Sequence, residues 1–164
     1  MKETINVPKN SGFTLWELMT VIGIMAVLSA TVLPNFIAWL PKYKLGSAAR
    51  DLLSAMQHAR LTAVKNNANV QVIFYPDRNN YKIFTDYDGD RDQDADEPTI
   101  RKSNMPAGVD LKETNFTNDT LNFNSMGLAS GSGGTISIAN IQDKLTKIRI
   151  SRTGNSRILR DDED

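Results

Sequence analysis

A long apolar run near the N-terminus constrains this chain more than any other feature. Between Gly12 and Lys42 the only ionisable side chain is Glu17, and residues 18–33 are apolar apart from a few small or hydroxylated side chains. Extended over residues 13–40, the run exceeds the roughly 20 residues that a helix needs to cross a bilayer core of about 30 Å. We therefore predict a transmembrane helix segment at residues 13–40.

Two other interpretations of the run are less favoured. A secretory signal peptide has an apolar region of about 7–15 residues followed by a small-residue cleavage site. This run is longer and ends at Pro34-Asn35-Phe36. A buried core helix needs a large protein around it, and 164 residues leave room for one compact domain of roughly 100 residues plus an extension.

The composition of the chain excludes several function classes. Lys+Arg and Asp+Glu both total 19, so the bulk charge attracts neither nucleic acid nor anionic lipid. The chain has no cysteine, one histidine (His58), and no Gly-x-Ser-x-Gly, phosphate-loop or zinc motif. No catalytic constellation can be assembled from these residues, and we predict that the protein is not an enzyme.

A short motif stands directly before the apolar run. Gly12 is followed by Phe-Thr-Leu-x-Glu, which places a carboxylate at the membrane end of the run. An ionised group near a membrane core costs at least about 2.5–3.5 kcal/mol on insertion scales, so Glu17 needs a partner unless it lies shallow and solvated. This segment resembles the type IV prepilin motif.

The resemblance implies a processing and an assembly step. Prepilin peptidase would remove residues 1–12 as a leader by cutting between Gly12 and Phe13, and Phe13 would then be N-methylated. Glu17 would set the register between subunits by pairing with the free amine of a mature N-terminus. Desolvation cancels much of such a pair's attraction, so its role is positional.

The far end of the run bears on topology. Pro34 would kink the helix, as in many type IV pilins, or end it where the chain leaves the membrane. More basic residues follow the run than precede it, so charge counting alone would place the C-terminal part in the cytoplasm. The resemblance implies the opposite: a single-pass inner-membrane protein with a periplasmic C-terminal domain, assembled into a pilus or pseudopilus.

Beyond the run, the apolar period is first that of a helix and then that of strands. Over residues 41–67 we predict an amphipathic helix that docks one face onto a sheet of the same chain. The residues of that face are Leu45, Ala49, Leu52, Met56, Ala59 and Ala63. The pattern over residues 68–164 predicts a β-rich domain that begins with a hairpin around residues 76–80. Strands are predicted at residues 70–75, 81–84, 99–102, 109–111, 121–124, 135–139, 145–151 and 157–159.

The C-terminal part adds a second resemblance. Residues 123–127, residues 131–134 and the ending at 148–158 are similar to the GspH/FimT family of minor pilins and pseudopilins. This implies an α+β pilin-like fold and a structural or initiating subunit of a type IV pilus or type II secretion pseudopilus. The implied partners are prepilin peptidase, other pilin or pseudopilin subunits, the inner-membrane assembly platform and membrane lipid.

A DNA-binding minor pilin for DNA uptake is an alternative function. Some FimT-like members bind DNA through Gly-Arg-x-Arg, and here Gly154-Asn155-Ser156-Arg157 keeps only the last arginine. Residues 144–160 hold six basic residues, Arg152 and Arg157 among them, and no acid, so they could contact phosphates. The acidic tail at residues 161–164 opposes this, and a solvated strand face is the competing interpretation.

Residues 86–97 are strongly acidic, with Arg91 as their only cation. The acids fall at the spacing of an EF-hand loop, with Asp86 first and Glu97 twelfth, although Arg91 stands where glycine is expected and no helix pair flanks the loop. We predict that assembly requires no cofactor. Calcium is a candidate ligand of this segment, where it would act as a structural clamp on a hairpin loop. The candidate ligands are Asp86, Asp88, Asp90, Asp92, Asp94 and Glu97. There are two other interpretations. One is a solvated acidic loop without a metal, and the other is a membrane-anchored calcium-binding domain whose Gly12 is not cleaved.

Overall fold

The computed structural model describes residues 12–159, and of residues 31–35 it describes the backbone only. The leader up to residue 11 and residues 160–164 lie outside the described part of the chain. The chain forms two compact units, which meet in sequence between Trp39 and Leu40.

A single helix, α1, runs from Leu15 to Asn66. It continues through positions 34 and 41, so neither proline ends it, and the kink at Pro34 stays a prediction. Where the sequence predicts a membrane span over residues 13–40, the described part of the chain holds no helix that is both long and apolar enough to cross a membrane.

The C-terminal end of α1 is closed by a Schellman motif. Asn67 takes a φ of 48°, in the left-handed region that asparagine tolerates better than most residues. The Asn67 N–H donates to the Val64 carbonyl at 3.4 Å and the Ala68 N–H donates to the Ala63 carbonyl at 3.2 Å. These two bonds satisfy carbonyls that a helix end leaves without partners, and they turn the chain into the first strand.

Eight strands follow in the described residues, and they form two four-stranded antiparallel sheets. The sheet orders are β3-β2-β1-β5 and β4-β6-β7-β8. Each predicted strand is present, with ends that differ by a few residues, and the predicted hairpin joins β1 to β2. The strands are β1 Asn69–Tyr75, β2 Asn80–Asp86, β3 Thr99–Asn104, β4 Val109–Thr114, β5 Thr120–Phe123, β6 Gly133–Asn140, β7 Leu145–Ser151 and β8 Ser156–Ile158.

The core of the second unit joins one face of α1 to both sheets. All six residues of the predicted helix face are buried, and Ala48 and Ala55 extend it. Five alanines on this face keep the helix surface flat, and the large side chains that fill the core come mostly from the strands. Each fully buried large aliphatic or Phe side chain contributes roughly 1.5–3 kcal/mol. The sheet side of the core includes Val72, Phe74, Leu121, Phe123, Ile136, Ile138, Ile148 and Ile150.

Asn79 ties one sheet to the other. It lies in the turn between β1 and β2 with a φ of 52°. Its Nδ2 donates to the Val109 carbonyl at 2.9 Å, and its Oδ1 accepts from the Leu111 N–H at 2.7 Å. The hairpin of the first sheet is thereby fixed to β4 of the second.

Candidate assembly surface and acidic loop

The first unit presents an apolar surface that is exposed all round the helix. Phe13 is 84% exposed and Trp16 79%. Consecutive positions along α1 point in different directions, so an apolar side chain at nearly every position leaves no polar face. A helix of this kind is normally buried by other protein or by lipid. The other exposed apolar residues of this unit include Leu15, Leu18, Met19, Val21, Ile22, Ile24, Met25, Val27, Phe36 and Ile37.

Glu17 closes a capping box at the start of this helix. The Thr14 hydroxyl oxygen accepts from the Glu17 N–H at 3.2 Å. The Glu17 carboxylate accepts from the Thr14 N–H at 3.5 Å and from the Thr14 hydroxyl at 3.4 Å. The Thr-x-x-Glu pattern that produces this arrangement is visible in the sequence, and the prepilin resemblance alone did not reveal it. The contacts to the carboxylate are long, so they hold it weakly.

Gly12 and Phe13 lie exposed just before the helix. A Cβ atom added to Gly12 would meet nothing within 4 Å. The described part of the folded chain therefore gives no packing reason for glycine at this position.

The acidic loop joins β2 to β3, which pair as an antiparallel hairpin. Asp86 and Glu97, at its two ends, are buried, whereas the residues between them are mostly exposed. Carboxylate oxygens of Asp86, Asp88 and Glu97 lie within 4.8 Å of one another. Carboxylate oxygens of Asp88, Asp90 and Asp94 also lie within 4.8 Å of one another and form a second group. Five of the six predicted ligands thus come together, and Asp92 belongs to neither group.

Backbone amides hold the two buried carboxylates in place. The Gly89 N–H donates to Asp86 Oδ1 at 2.6 Å. The Tyr87 N–H donates to Glu97 Oε1 at 2.6 Å, and the Asp94 N–H donates to Glu97 Oε2 at 3.1 Å. The backbone of the loop therefore wraps around the carboxylates of its two end residues, Asp86 and Glu97.

Arg91 takes a φ of 76°, the left-handed conformation that glycine supplies at the sixth position of an EF-hand loop.

The wrapped backbone of the loop brings several carboxylates of like charge close together. The charge of Asp90, with smaller contributions from desolvation and from the charges of Asp88, Glu97 and Asp96, raises the pKa of Asp94 above its ordinary value.

The structure places the two candidate DNA-binding arginines on different elements. Arg157 lies on β8 directly opposite Arg149 of β7, and Arg152 lies in the turn that follows β7. All three are exposed. DNA binding stays a prediction.

The glycine of the same motif has a packing role. Gly154 has a φ of 79°, and a Cβ atom there would collide with the Gly127 carbonyl oxygen. Arg60 of α1 fills the adjoining space, donating from Nε to the Gly127 carbonyl at 3.0 Å and from Nη1 to Asn155 Oδ1 at 2.9 Å.

A long N-terminal helix with an exposed apolar first half, and with its second half packed on antiparallel sheets, defines the pilin-like class of proteins. Residues 48–154 match the family model described as type II transport protein GspH. This is more than half of the chain, and the chain belongs to that family. The predicted resemblance and the predicted α+β pilin-like fold are confirmed.

Solved structures show the same fold. The minor pseudopilin EpsH of the type 2 secretion system of Vibrio cholerae matches with a TM-score of 0.56 and 14% identity, over 73% of this chain and 99% of that one. The type IV minor pilin FimU of Pseudomonas aeruginosa matches with a TM-score of 0.59 and 20% identity, over 73% of this chain and 90% of that one.

Two curated relatives match by sequence. The pilin-like protein PilA1 of Thermus thermophilus is 36% identical over 87 residues, which are 52% of this chain and 54% of that protein. The type IV major pilin PilA of Myxococcus xanthus is 44% identical over 45 residues, 27% of this chain and 20% of that protein. The chain thus spans about half or less of these relatives. These comparisons do not favour the DNA-binding or the anchored calcium-binding alternative.

Proposed function

We propose that this chain is a minor pilin or pseudopilin, a structural or initiating subunit of a type IV pilus or a type II secretion pseudopilus. The observation that carries the proposal is the apolar surface around the first half of α1. The second unit has a hydrophobic core of its own and exposes only some of its large apolar side chains, whereas those of the first unit remain exposed. Packing against the corresponding helices of other pilin subunits would cover them. The relatives named as pilins and pseudopilins support this role.

We propose that prepilin peptidase activates the chain by cutting between Gly12 and Phe13, with methylation of the new Phe13 amine. The exposure of both residues supports access by a protease. The empty space around Gly12 supports a requirement for glycine that originates in the peptidase rather than in folding.

Glu17 would then change partners. In the uncut chain its carboxylate is held by Thr14 through contacts of 3.4 and 3.5 Å. Cleavage converts the nearby Phe13 amide nitrogen into a charged amine, and charge-assisted hydrogen bonds are roughly twice as strong as neutral ones. We propose that this amine, in the same or a neighbouring subunit, displaces Thr14 and so fixes the axial register of the subunit.

Before assembly, we propose that residues 13–40 hold the precursor in the inner membrane, in contact with lipid and with the assembly platform, and that the β-rich unit lies in the periplasm. The sequence of the apolar run supports this location. The proposed work is mechanical, and it needs neither catalysis nor a cofactor.

Intact-mass analysis of the membrane-extracted protein tests the processing step. We expect wild type to begin at a methylated Phe13 and Gly12→Val to keep residues 1–12, because a branched side chain blocks the peptidase subsite. Gly23→Val is the matched control, since a Cβ atom there also meets nothing within 4 Å, and we expect it to be cut normally. Retention of the leader by all three proteins, or cutting of all three, would contradict the proposal.

A further inference from the structure

We infer that the acidic loop at residues 86–97 is a divalent-cation site, selective for calcium, in which Asp86, Asp88 and Glu97 are the central ligands. Asp90 and Asp94 extend the site toward solvent. The ion would clamp the loop onto the face of the first sheet that points away from the core. This site lies outside the assembly surface, and the proposed function does not require it.

Strand geometry shows what the loop covers. Side chains alternate between the two faces of a strand, and Ile83 of β2 belongs to the core. Phe84 and Asp86 therefore point to the opposite face, and Gln71 of β1 joins them because it pairs with Phe84. Phe84, Asp86 and Gln71 are nonetheless fully buried. Gln71 lines a cavity of about 550 Å³ together with Arg91 and Asp92 of the loop, so the loop lies over this face.

The spacing of the carboxylate oxygens fits a calcium coordination sphere. Ligand oxygens bound at 2.3–2.6 Å from a common ion are at most about 4.6–5.2 Å apart. The oxygens of Asp86, Asp88 and Glu97 lie within 4.8 Å of one another. Magnesium demands near-ideal octahedral geometry at about 2.0–2.1 Å and gives up its waters reluctantly, so a cluster made mainly of carboxylates suits calcium better.

A buried amide at the inner end of the cluster is the second, independent observation. Gln71 is fully buried, and its Nε2 donates to Asp86 Oδ2 at 2.8 Å. Its Oε1 has no hydrogen-bond partner among the described residues. Oε1 belongs to the same amide, so the unpaired acceptor is carried by the group that contacts the Asp86 carboxylate. An unsatisfied buried acceptor is costly, and an amide oxygen is a normal calcium ligand.

No salt bridge between described residues involves a carboxylate of the loop. The salt bridges between described residues join Lys112 to Asp110 and Asp143, both away from the loop. Buried carboxylates are normally paired with a cation or coordinate a metal. A bound calcium ion would supply that charge for Asp86 and Glu97, and it would relieve the repulsion within the outer group of carboxylates.

Calcium titration of the full-length protein in detergent, after removal of metals with EDTA, tests the inference. We expect calorimetry to detect one site for CaCl2 and much weaker binding of MgCl2. Saturating calcium, at about 100 times the dissociation constant, should raise the Tm by roughly 5–10 °C.

Asp88→Asn is the main variant. Asp88 is exposed, and its Oδ1 accepts from the Asp90 N–H at 3.2 Å, a bond that asparagine retains, so folding should persist. We expect the calcium affinity to fall at least tenfold. Asp77→Asn makes the same charge change at an exposed position outside the loop, and it should bind like wild type.

Gln71→Met probes the buried amide. Methionine fills a similar volume without the amide oxygen, and we expect a several-fold loss of calcium affinity. Absence of a calorimetric signal and of a Tm shift in wild type at millimolar calcium would overturn the inference. So would equal weakening by Asp88→Asn and Asp77→Asn, because it would indicate a diffuse counterion effect.

Discussion

Replacing Gly154 with alanine is expected to lower the free energy of unfolding by about 3 kcal/mol, the largest loss of stability that a single added methyl group should cause in the C-terminal motif. Two costs combine. Gly154 has a φ of 79°, where a side chain is strained. An added Cβ atom would also collide with the Gly127 carbonyl oxygen and come within 2.7 Å of Arg60 Nε.

The collision would break the contacts that fix the C-terminal hairpin to the helix. Arg60 joins Gly127 and Asn155 through bonds of 3.0 and 2.9 Å. The Ala129 N–H donates to the Arg152 carbonyl at 3.1 Å in the same region. Moving Gly154 away from Gly127 cannot preserve all three bonds.

Gly131→Ala is the matched control for this prediction. Gly131 has a φ of 72°, but a Cβ atom there meets nothing within 4 Å. It should therefore show only the backbone strain, about 1 kcal/mol. Urea unfolding of both variants measures the difference. Equal losses of stability would mean that the crowding at Gly154 is not important.

Replacing Val27 with glutamate is expected to abolish incorporation into the filament. Val27 is 68% exposed in the middle of the apolar surface. Burial of an unpaired carboxylate in apolar surroundings costs at least about 2.5–3.5 kcal/mol. Recovery of the variant in sheared filaments, compared with the amount in whole cells, measures the effect.

Ile141→Glu is the control for Val27→Glu. Ile141 is also a β-branched aliphatic residue, 71% exposed, but it follows β6 in the second unit. It should be incorporated normally, and its incorporation would show that an added surface charge alone does not exclude a subunit. Normal incorporation of Val27→Glu would contradict packing through the first half of α1.

The parts of the fold that depend on local periodicity could be predicted from the sequence. The helix face from Leu45 to Ala63 and all eight strands follow from spacings of three or four and of two. The partition into two sheets could not be predicted, because it depends on pairings distant in sequence. One example is Val72 of β1 opposite Leu121 of β5, which no local pattern specifies.

The candidate sites divide in the same way. The spacing of the acids predicted the group that forms around Asp88, and the Thr-x-x-Glu pattern could have revealed the capping box. Gln71 carries no local signal, since it reaches Asp86 only through the pairing of β1 with β2. Arg91 broke the expected loop pattern by residue type, yet its backbone adopts the positive φ that the pattern requires.

Cross-linking inside intact filaments tests the central claim most directly. The natural chain has no cysteine, so Val27→Cys and Ile141→Cys each introduce a single thiol, one on the apolar surface and one on the β-rich unit. With neighbouring pilin subunits that carry a cysteine in their own N-terminal helix, we predict a cross-linked pair for Val27→Cys and none for Ile141→Cys. Recovery of the Val27→Cys chain only as an uncross-linked monomer, outside the filament fraction, would contradict assembly through this helix.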